Sequence, residues 1–286
     1  MIYAVANRKG GVGKSTVATM LAYGFSAYRR ENVLLIDLDA QCNASLILIG
    51  GQNWSTARLQ GRNIADFFGD CFDHTQHDTS HYIYSGVGDV IGPRRDQPTL
   101  SLVPGSLLIE DIEHELLHKR AQFSPLGQAE ESVIGRMRRL LEDLCQAYSC
   151  VILDCPPGLS FAAKAAIRLA DKVIVPFRPD FVSSFAVDRI SFLIEGKANL
   201  DALEEVPYTS RRYRAVGNFM TDDVAAQERF QDIEAYHPVL KVQIPLDPEI
   251  ASSFNWRAQR ISMEAKFGRK GASVVKALVE ELISWE

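Results

Sequence analysis

The sequence predicts an α/β fold: a doubly wound, mostly parallel sheet flanked by helices. Three observations lead there. The chain opens with a strand, a glycine-rich loop, a helix and a second strand in immediate succession, the start of a βαβ unit. Apolar runs such as VLLID and CVILD are continuous and β-branched rather than alternating, as in strands covered on both faces. The strand–helix rhythm then recurs, and right-handed crossovers turn such a rhythm into a doubly wound sheet.

Ile2 to Ala6 is a short apolar run ending in glycines, hence a buried strand. A helix over 15–28 follows, with Val17, Leu21, Ala22 and Phe25 at helical spacing, and VLLID (33–37) is the next strand. TLSLV (99–103) precedes a helix around 106–120, and an amphipathic helix at about 131–148 leads into CVILD (150–154). Helices at about 160–170 and 184–195 flank the strand KVIVP (172–176). RAVGNF (214–219) leads to a helix around 224–236, then LKVQI (240–244), and a helix from about 272 to 284 ends the pattern. Neither an internal repeat nor a low-complexity linker is visible. The expected organisation is one domain over 1–286, with polar surface insertions at about 70–98 and 197–213. His74, His77 and His81 are spaced like metal ligands, but proline and glycine downstream favour a solvated loop.

Of 286 residues, 47% are apolar and 23% charged, a globular balance that excludes a disordered tail or a collagen-like repeat. The net charge of −5 means that any nucleic-acid site must be a local patch. Five cysteines, odd in number and without a C-x-x-C pair, indicate neither a disulfide framework nor a zinc knuckle. MIYAVANRKGG is too short in apolar residues for a secretory leader, and no run of ~18 apolar residues could span a membrane. A cytoplasmic protein is expected. The first strand begins at once, leaving no room for a helix-turn-helix, so no sequence-specific repressor is expected.

ANRKGGVGKST (6–16) carries the strongest chemical signal. Gly10, Gly11 and Gly13 allow backbone N–H groups to converge on an anion. Lys14 supplies a point charge for β- and γ-phosphates, and Ser15 a hydroxyl for Mg²⁺ at the positive end of a helix. Arg8 stands where the usual pattern has its first glycine, and a second lysine, Lys9, guards the loop entrance. Such a loop needs a carboxylate at a neighbouring strand end. Asp154 in CVILDCPPG supplies one, and Asp37 and Asp39 in LLIDLDAQCN lie at another strand exit.

KGGVGKS, DLDAQCN and ILDCPPG, in that order, resemble the deviant Walker-A P-loop ATPases of the ParA/MinD superfamily, and are nearest to its ParA branch. LVPGS (102–106), VIVPFRPD (173–180), the strand bearing Asn218 and the IP segment (244–245) follow the same order. Ala40 departs from the usual proline of the second motif. The resemblance implies ATP and Mg²⁺ as ligands. Gly10, Gly11, Val12, Gly13, Lys14, Ser15 and Thr16 would cradle the phosphates, and Asn218 would contact adenine. Ser15, Asp39 and Asp154 would serve the metal, with Asp39 also positioning the attacking water. Lys9 would be the signature lysine that reaches a partner's ATP, since it has little to bond within one subunit.

The resemblance further implies an ATP-dependent homodimer that binds non-specific DNA on the nucleoid, and a ParB-like or cargo-adaptor protein that stimulates slow hydrolysis. Rival readings are a positioning ATPase for another cargo, a metabolic ligase or amidotransferase of the same superfamily, and a reductase with a shared cluster. Cys145, Cys150 and Cys155 lack the spacing of a ferredoxin-type cluster. The C-terminal GASVVKALVEELISWE carries one lysine and three glutamates, which argues against a membrane anchor. WRAQRISMEAKFGRK (256–270) has five basic residues and one acidic, making Arg257, Arg260, Lys266, Arg269 and Lys270 candidate DNA contacts. Arg211, Arg212 and Arg214 form a second candidate cluster.

Overall fold

The chain enters through β1 (Ile2–Val5), whose Tyr3, Ala4 and Val5 lie buried between two helical layers. In this computed structural model, which describes residues 1–72, 78–91 and 100–285, α1 (Lys14–Gly24) follows the glycine loop and β2 (Val33–Asp37) returns parallel. Next come α2 (Asn43–Leu59), α3 (Ile64–Phe72), β3 (Tyr84–Ser85) and β4 (Leu100–Val103). Then follow α4 (Ile109–Ala121), α5 (Leu126–Cys145), β5 (Cys150–Asp154), α6 (Phe161–Leu169), β6 (Lys172–Phe177) and α7 (Phe181–Glu195). The chain closes with α8 (Leu200–Glu204), β7 (Tyr213–Met220), α9 (Val224–Glu234), β8 (Ile244–Pro245), α10 (Pro248–Ser252) and α11 (Met263–Ser284).

The eight strands form one sheet in the order β3-β4-β2-β5-β1-β6-β7-β8, parallel except where β3 meets β4. Side chains alternate across it as the pleat requires. Tyr3, Val5, Leu35 and Ile152 face α1, α2 and α11, whereas Ala4, Leu34, Ile36 and Leu153 face α3 to α7. The register sets Val5 and Asp37 on either side of Asp154. Three central strands therefore deliver the glycine loop and two carboxylates to the carboxyl end of the sheet, where doubly wound folds bind ligands. Several helices start on side-chain caps: Ser160 accepts from Ala163 N–H, and Ser262 from Ala265 N–H.

The structure departs from the sequence reading in several places. Residues 43–69, for which the sequence predicts no element, and the start of the expected 70–98 insertion fold as α2 and α3, and a bend at Gly50 divides α2. The expected strand at 240–244 keeps its pairing at Ile244, because the N–H groups of Lys241 and Val242 donate to the Glu281 carboxylate instead. The 70–98 stretch is not wholly a surface excursion: Tyr82 packs on Phe67 in the core and Asp89 is fully enclosed. His81 sits on a turn, while His74 and His77 lie outside the described residues.

The candidate cluster at 211–214 is spent internally. Arg211 is buried and donates to the carbonyls of Leu203, Val206 and Tyr236, Arg212 donates to Ala170 and Ile194, and Arg214 lies over Trp285. Lys266 is likewise no surface cation. Its ammonium donates to Asp89 at 2.6 Å, with 1% of the side chain exposed, so it cannot reach DNA. Tyr23 donates to the other oxygen of Asp89, tying α11 to the end of α1. Burial pulls the Lys266 ammonium below its ordinary range and Asp89 pulls it back up.

Removing one partner of such a pair leaves the other charged and dry. Lys266→Met is therefore expected to cost ~3 kcal/mol or more in urea unfolding. Arg269→Ala on the exposed side of the same helix should change stability by less than about 0.5 kcal/mol. Equal effects would contradict the internal role of Lys266.

Candidate nucleotide site

Asn7 starts the loop by donating its side-chain amide to Pro176 O and accepting the Lys9 N–H, which lashes the loop to the neighbouring strand. Gly13, at φ 86°, is the turn into α1, and a Cβ there would lie 2.0 Å from the Asn218 amide nitrogen. Any side chain would push the loop off β7. Asn218 itself is buried and donates to Val12 O at 2.8 Å, so its amide buttresses the loop from behind.

In front of the loop is a cleft of about 710 Å³, lined by Gly10, Gly11, Gly13, Lys14, Ser15 and Thr16. Asp39, Gln41 and Asn43 form its polar side, with Leu46, Ile47, Phe219 and Phe254 as its apolar wall. Sequence reasoning missed that wall; Phe219, at φ 59° beside Asn218 and under Arg178, has no local sequence signal. Val12, Asn218 and Asp154 lie behind or beneath the cleft rather than on its lining.

The two aspartates of the second motif part company. Asp37 is fully buried and accepts from the N–H and hydroxyl of Ser45, pinning the first turn of α2. Asp39 lines the cleft and accepts the Gln41 N–H at 2.9 Å. Burial pushes the Asp37 carboxyl up to about 6 against the pull of the Ser45 bonds. Asp154 is also pushed well above the ordinary carboxylate range, by burial and then by the charge of Asp37, while Ser15 and Lys14 act in the opposite direction. Neither oxygen of Asp154 completes a hydrogen bond among the described residues. A buried carboxylate so placed, with a serine hydroxyl beside it and an anion cradle above, fits Mg²⁺. That ion keeps much of its water and takes one or two carboxylates plus phosphate oxygens. No cluster of three or more metal-ligating side chains occurs among the described residues, so a protein-only cage is not what the site offers.

The loop's two lysines are held differently. Lys14 is 5% exposed and its ammonium donates to Lys9 O at 3.2 Å. Burial pulls it below its ordinary range, with Asp154 and Asp39 opposing. Lys9, contrary to the expectation that it lacks a partner within its own subunit, donates to both oxygens of Asp180, at 2.5 and 2.7 Å. Asp180 also caps α7 by accepting the Ser183 N–H. Burial alone would raise the Asp180 carboxyl, but Lys9 and Ser183 together draw it below the usual range. Both side chains remain partly exposed, so the pair contributes ~1 kcal/mol or less.

The AAA_31 family model, described as an AAA domain, matches residues 1–200. The chain is similar to the chromosome partitioning protein ParA of Caulobacter vibrioides, 29% identical over 196 residues, covering 68% of this chain and 60% of that one. It is also similar to the sporulation initiation inhibitor protein Soj of Bacillus subtilis, 29% identical over 193 residues, covering 68% and 63%. The chain thus spans about three fifths of the length of these curated relatives. Among solved structures, the ATP complex of Cyanothece McdA aligns over 98% of this chain and 95% of that one, with a TM-score of 0.68 at 14% identity. Cobyrinic acid a,c-diamide synthase from Mycobacterium smegmatis, with ADP and magnesium bound, aligns over 99% and 93%, with a TM-score of 0.66 at 20% identity. At such identities the two structures speak for the fold alone.

The raised carboxyls of Asp37 and Asp154 set the pH response of the metal-free chain. The folded state holds these protons more tightly than an unfolded aspartate near pH 4 does, so stability falls as pH rises from about 4 through about 6. Asp154→Asn removes a carboxyl that the unfolded chain ionises freely and the fold resists ionising. At pH 7.5 it should raise the metal-free melting temperature by roughly 2–6 °C and abolish any tightening of nucleotide binding by Mg²⁺. A variant that melts lower and still responds to Mg²⁺ would contradict this electrostatic account.

Proposed function

The chain belongs to the AAA_31 family and to the ParA/MinD superfamily of ATPases, and from that premise we propose that it is a ParA-type molecular switch. ATP assembles a sandwich dimer, the dimer holds DNA without sequence preference, and a partner protein stimulates slow hydrolysis. Release of the dimer then drives plasmid or chromosome partition, or positions another cargo, in the cytoplasm. The observation that carries this reading is the separation of the two loop lysines, one on the cleft floor and one latched at its rim.

Each residue has a task in that cycle. Backbone N–H groups of Gly10 to Gly13 and the start of α1 receive the phosphates, and Lys14 turns from Lys9 O towards them. Ser15 and, through water, Asp154 would hold Mg²⁺, which neutralises charge on the transferring phosphoryl group. Asp39 faces the cleft and orients the attacking water. Phe219 and Phe254 supply apolar surface for the base. Lys9 leaves Asp180 for the partner's phosphates, an exchange of one carboxylate for a more highly charged anion. The ion pair it breaks is weak, so the latch slows unloaded pairing without preventing loaded pairing.

DNA meets Arg257, Arg260, Arg269 and Lys270, which are exposed, and not the buried Lys266. Dimerisation doubles that patch and offsets the acidic balance of the chain locally. The apolar side of α11 (Val275, Leu278, Val279 and Leu282) is buried against the sheet, leaving it no free face for a membrane. Among the described residues, no helix is long and apolar enough to cross one.

Light scattering with an ATP analogue is expected to show dimers for the native chain and monomers for Lys9→Ala. Asp180→Asn keeps the α7 cap while weakening the latch, so it should dimerise at about fivefold lower nucleotide concentration. Dimers of Lys9→Ala would contradict the reading. Retention on non-specific duplex DNA should require ATP, fail with ADP, and weaken with salt. Arg269→Ala with Lys270→Ala should lower the slope of log affinity against log salt by about 2 per subunit. ATP turnover indifferent to DNA and partner, with formation of another product, would instead indicate a metabolic ligase.

A further inference from the structure

A second cleft, of about 350 Å³, lies between α2 and the segment 253–262. Its lining joins Trp256 and Tyr84 to Arg257 and Arg260, with the amides of Asn53 and Gln60 opposite. Among the described residues none of the lining side chains is a carboxylate, although the chain as a whole carries −5. Two guanidinium groups without a counter-charge make this a site for an anion.

The components are set in place by their neighbours. Trp256 is 38% exposed, and its indole rests on Gly50, whose φ is 73° and where a Cβ would lie 2.7 Å from the ring. The bend in α2 thus seats a flat aromatic wall. The Arg257 N–H donates to the buried Asp89 carboxylate, which fixes the point from which its side chain leaves the backbone. Arg260 gives one N–H to Gly86 O and keeps its remaining donors. Asn53 donates to Ile49 O, leaving its carbonyl oxygen to accept. Tyr84 adds a second aromatic side chain to the lining.

We propose that this cleft binds a nucleoside phosphate unit, free or within a nucleic-acid strand, with its ring against Trp256 and its phosphate between Arg257 and Arg260. Aromatic stacking and paired guanidinium contacts are the two interactions such a unit demands. The amides of Asn53 and Gln60 meet the polar edge of the base, and a mononucleotide suits the size of the space. The segment that carries Trp256 also carries Phe254 in the wall of the ATP cleft, so the two sites share one backbone strap. The strand form of the proposal rests on the DNA-binding reading, with which it shares Arg257 and Arg260; the free form does not.

The full chain with Trp54→Phe and Trp285→Phe leaves Trp256 as the reporter, since the sequence has three tryptophans. Its ATP cleft is first filled with a non-hydrolysable analogue and Mg²⁺, and the protein is titrated with thymidine monophosphate, a thymidine tetranucleotide or inorganic phosphate. Saturable quenching of Trp256 by either nucleotide, but not by phosphate, is the expected result. Quenching by the monophosphate identifies a free nucleotide as a ligand, and quenching by the tetranucleotide alone identifies a strand. Arg257→Ala with Arg260→Ala should weaken the binding by about tenfold or more, whereas Arg269→Ala with Lys270→Ala should not change it. No quenching by either nucleotide, quenching matched by phosphate, or quenching that survives loss of both arginines overturns the proposal. Loss of duplex retention while quenching persists would refute the DNA surface and leave the cleft standing.

Discussion

Everything at the nucleotide cleft depends on where one short loop sends its two ammonium groups. The loop leaves β1 and must turn into α1 within a few residues, which places Lys14 inward over Asp154 and Lys9 outward at the rim. The inward lysine is desolvated and faces carboxylates that are themselves buried, whereas the outward one is latched to the α7 cap. One short run, KGGVGK, thus yields a floor charge that stays enclosed and a rim charge that can be exchanged.

The floor is electrostatically unfinished. Parallel pairing of β2 with β5 sets Asp37 and Asp154 side by side, and burial makes their mutual repulsion costly. Ser45 satisfies Asp37, but nothing among the described residues completes a bond to Asp154. A site with a surplus of buried negative charge below and a cradle of N–H donors above accommodates a cation and a polyanion together better than either alone. The coupling of α2 to this arrangement is direct, because Ser45 on its first turn holds Asp37 while Asp39 two residues on faces the cleft.

The parts of this design that were legible in the sequence are those encoded locally. Glycines at fixed offsets, β-branched runs and an aspartate closing a strand identify the loop, β1, β2, β5 and the candidate nucleotide ligands, and the family resemblance rests on the same residues. α2 escaped because Gly50 and Gly51 interrupt NASLILIGGQNW, with the half before them mostly buried and the half after them almost all exposed, so neither shows a helical stripe. Lys266 and Arg211 read as surface charges because their partners, Asp89 and three backbone carbonyls, come from distant or irregular parts of the chain. Lys9 and Asp180 lie 171 residues apart, and no spacing rule connects them. Charge in a linear sequence says which residues need a partner, not where the fold supplies it.

Moving Lys9 from its own subunit's carboxylate to a neighbour's phosphate is the event on which the proposed switch turns. The most direct measurement is a crystal structure with a non-hydrolysable ATP analogue and Mg²⁺. The account predicts a two-fold dimer in which the Lys9 ammonium has left Asp180 and lies within hydrogen-bond distance of a phosphate oxygen in the opposing cleft. A nucleotide-bound dimer in which Lys9 remains on Asp180 would contradict it.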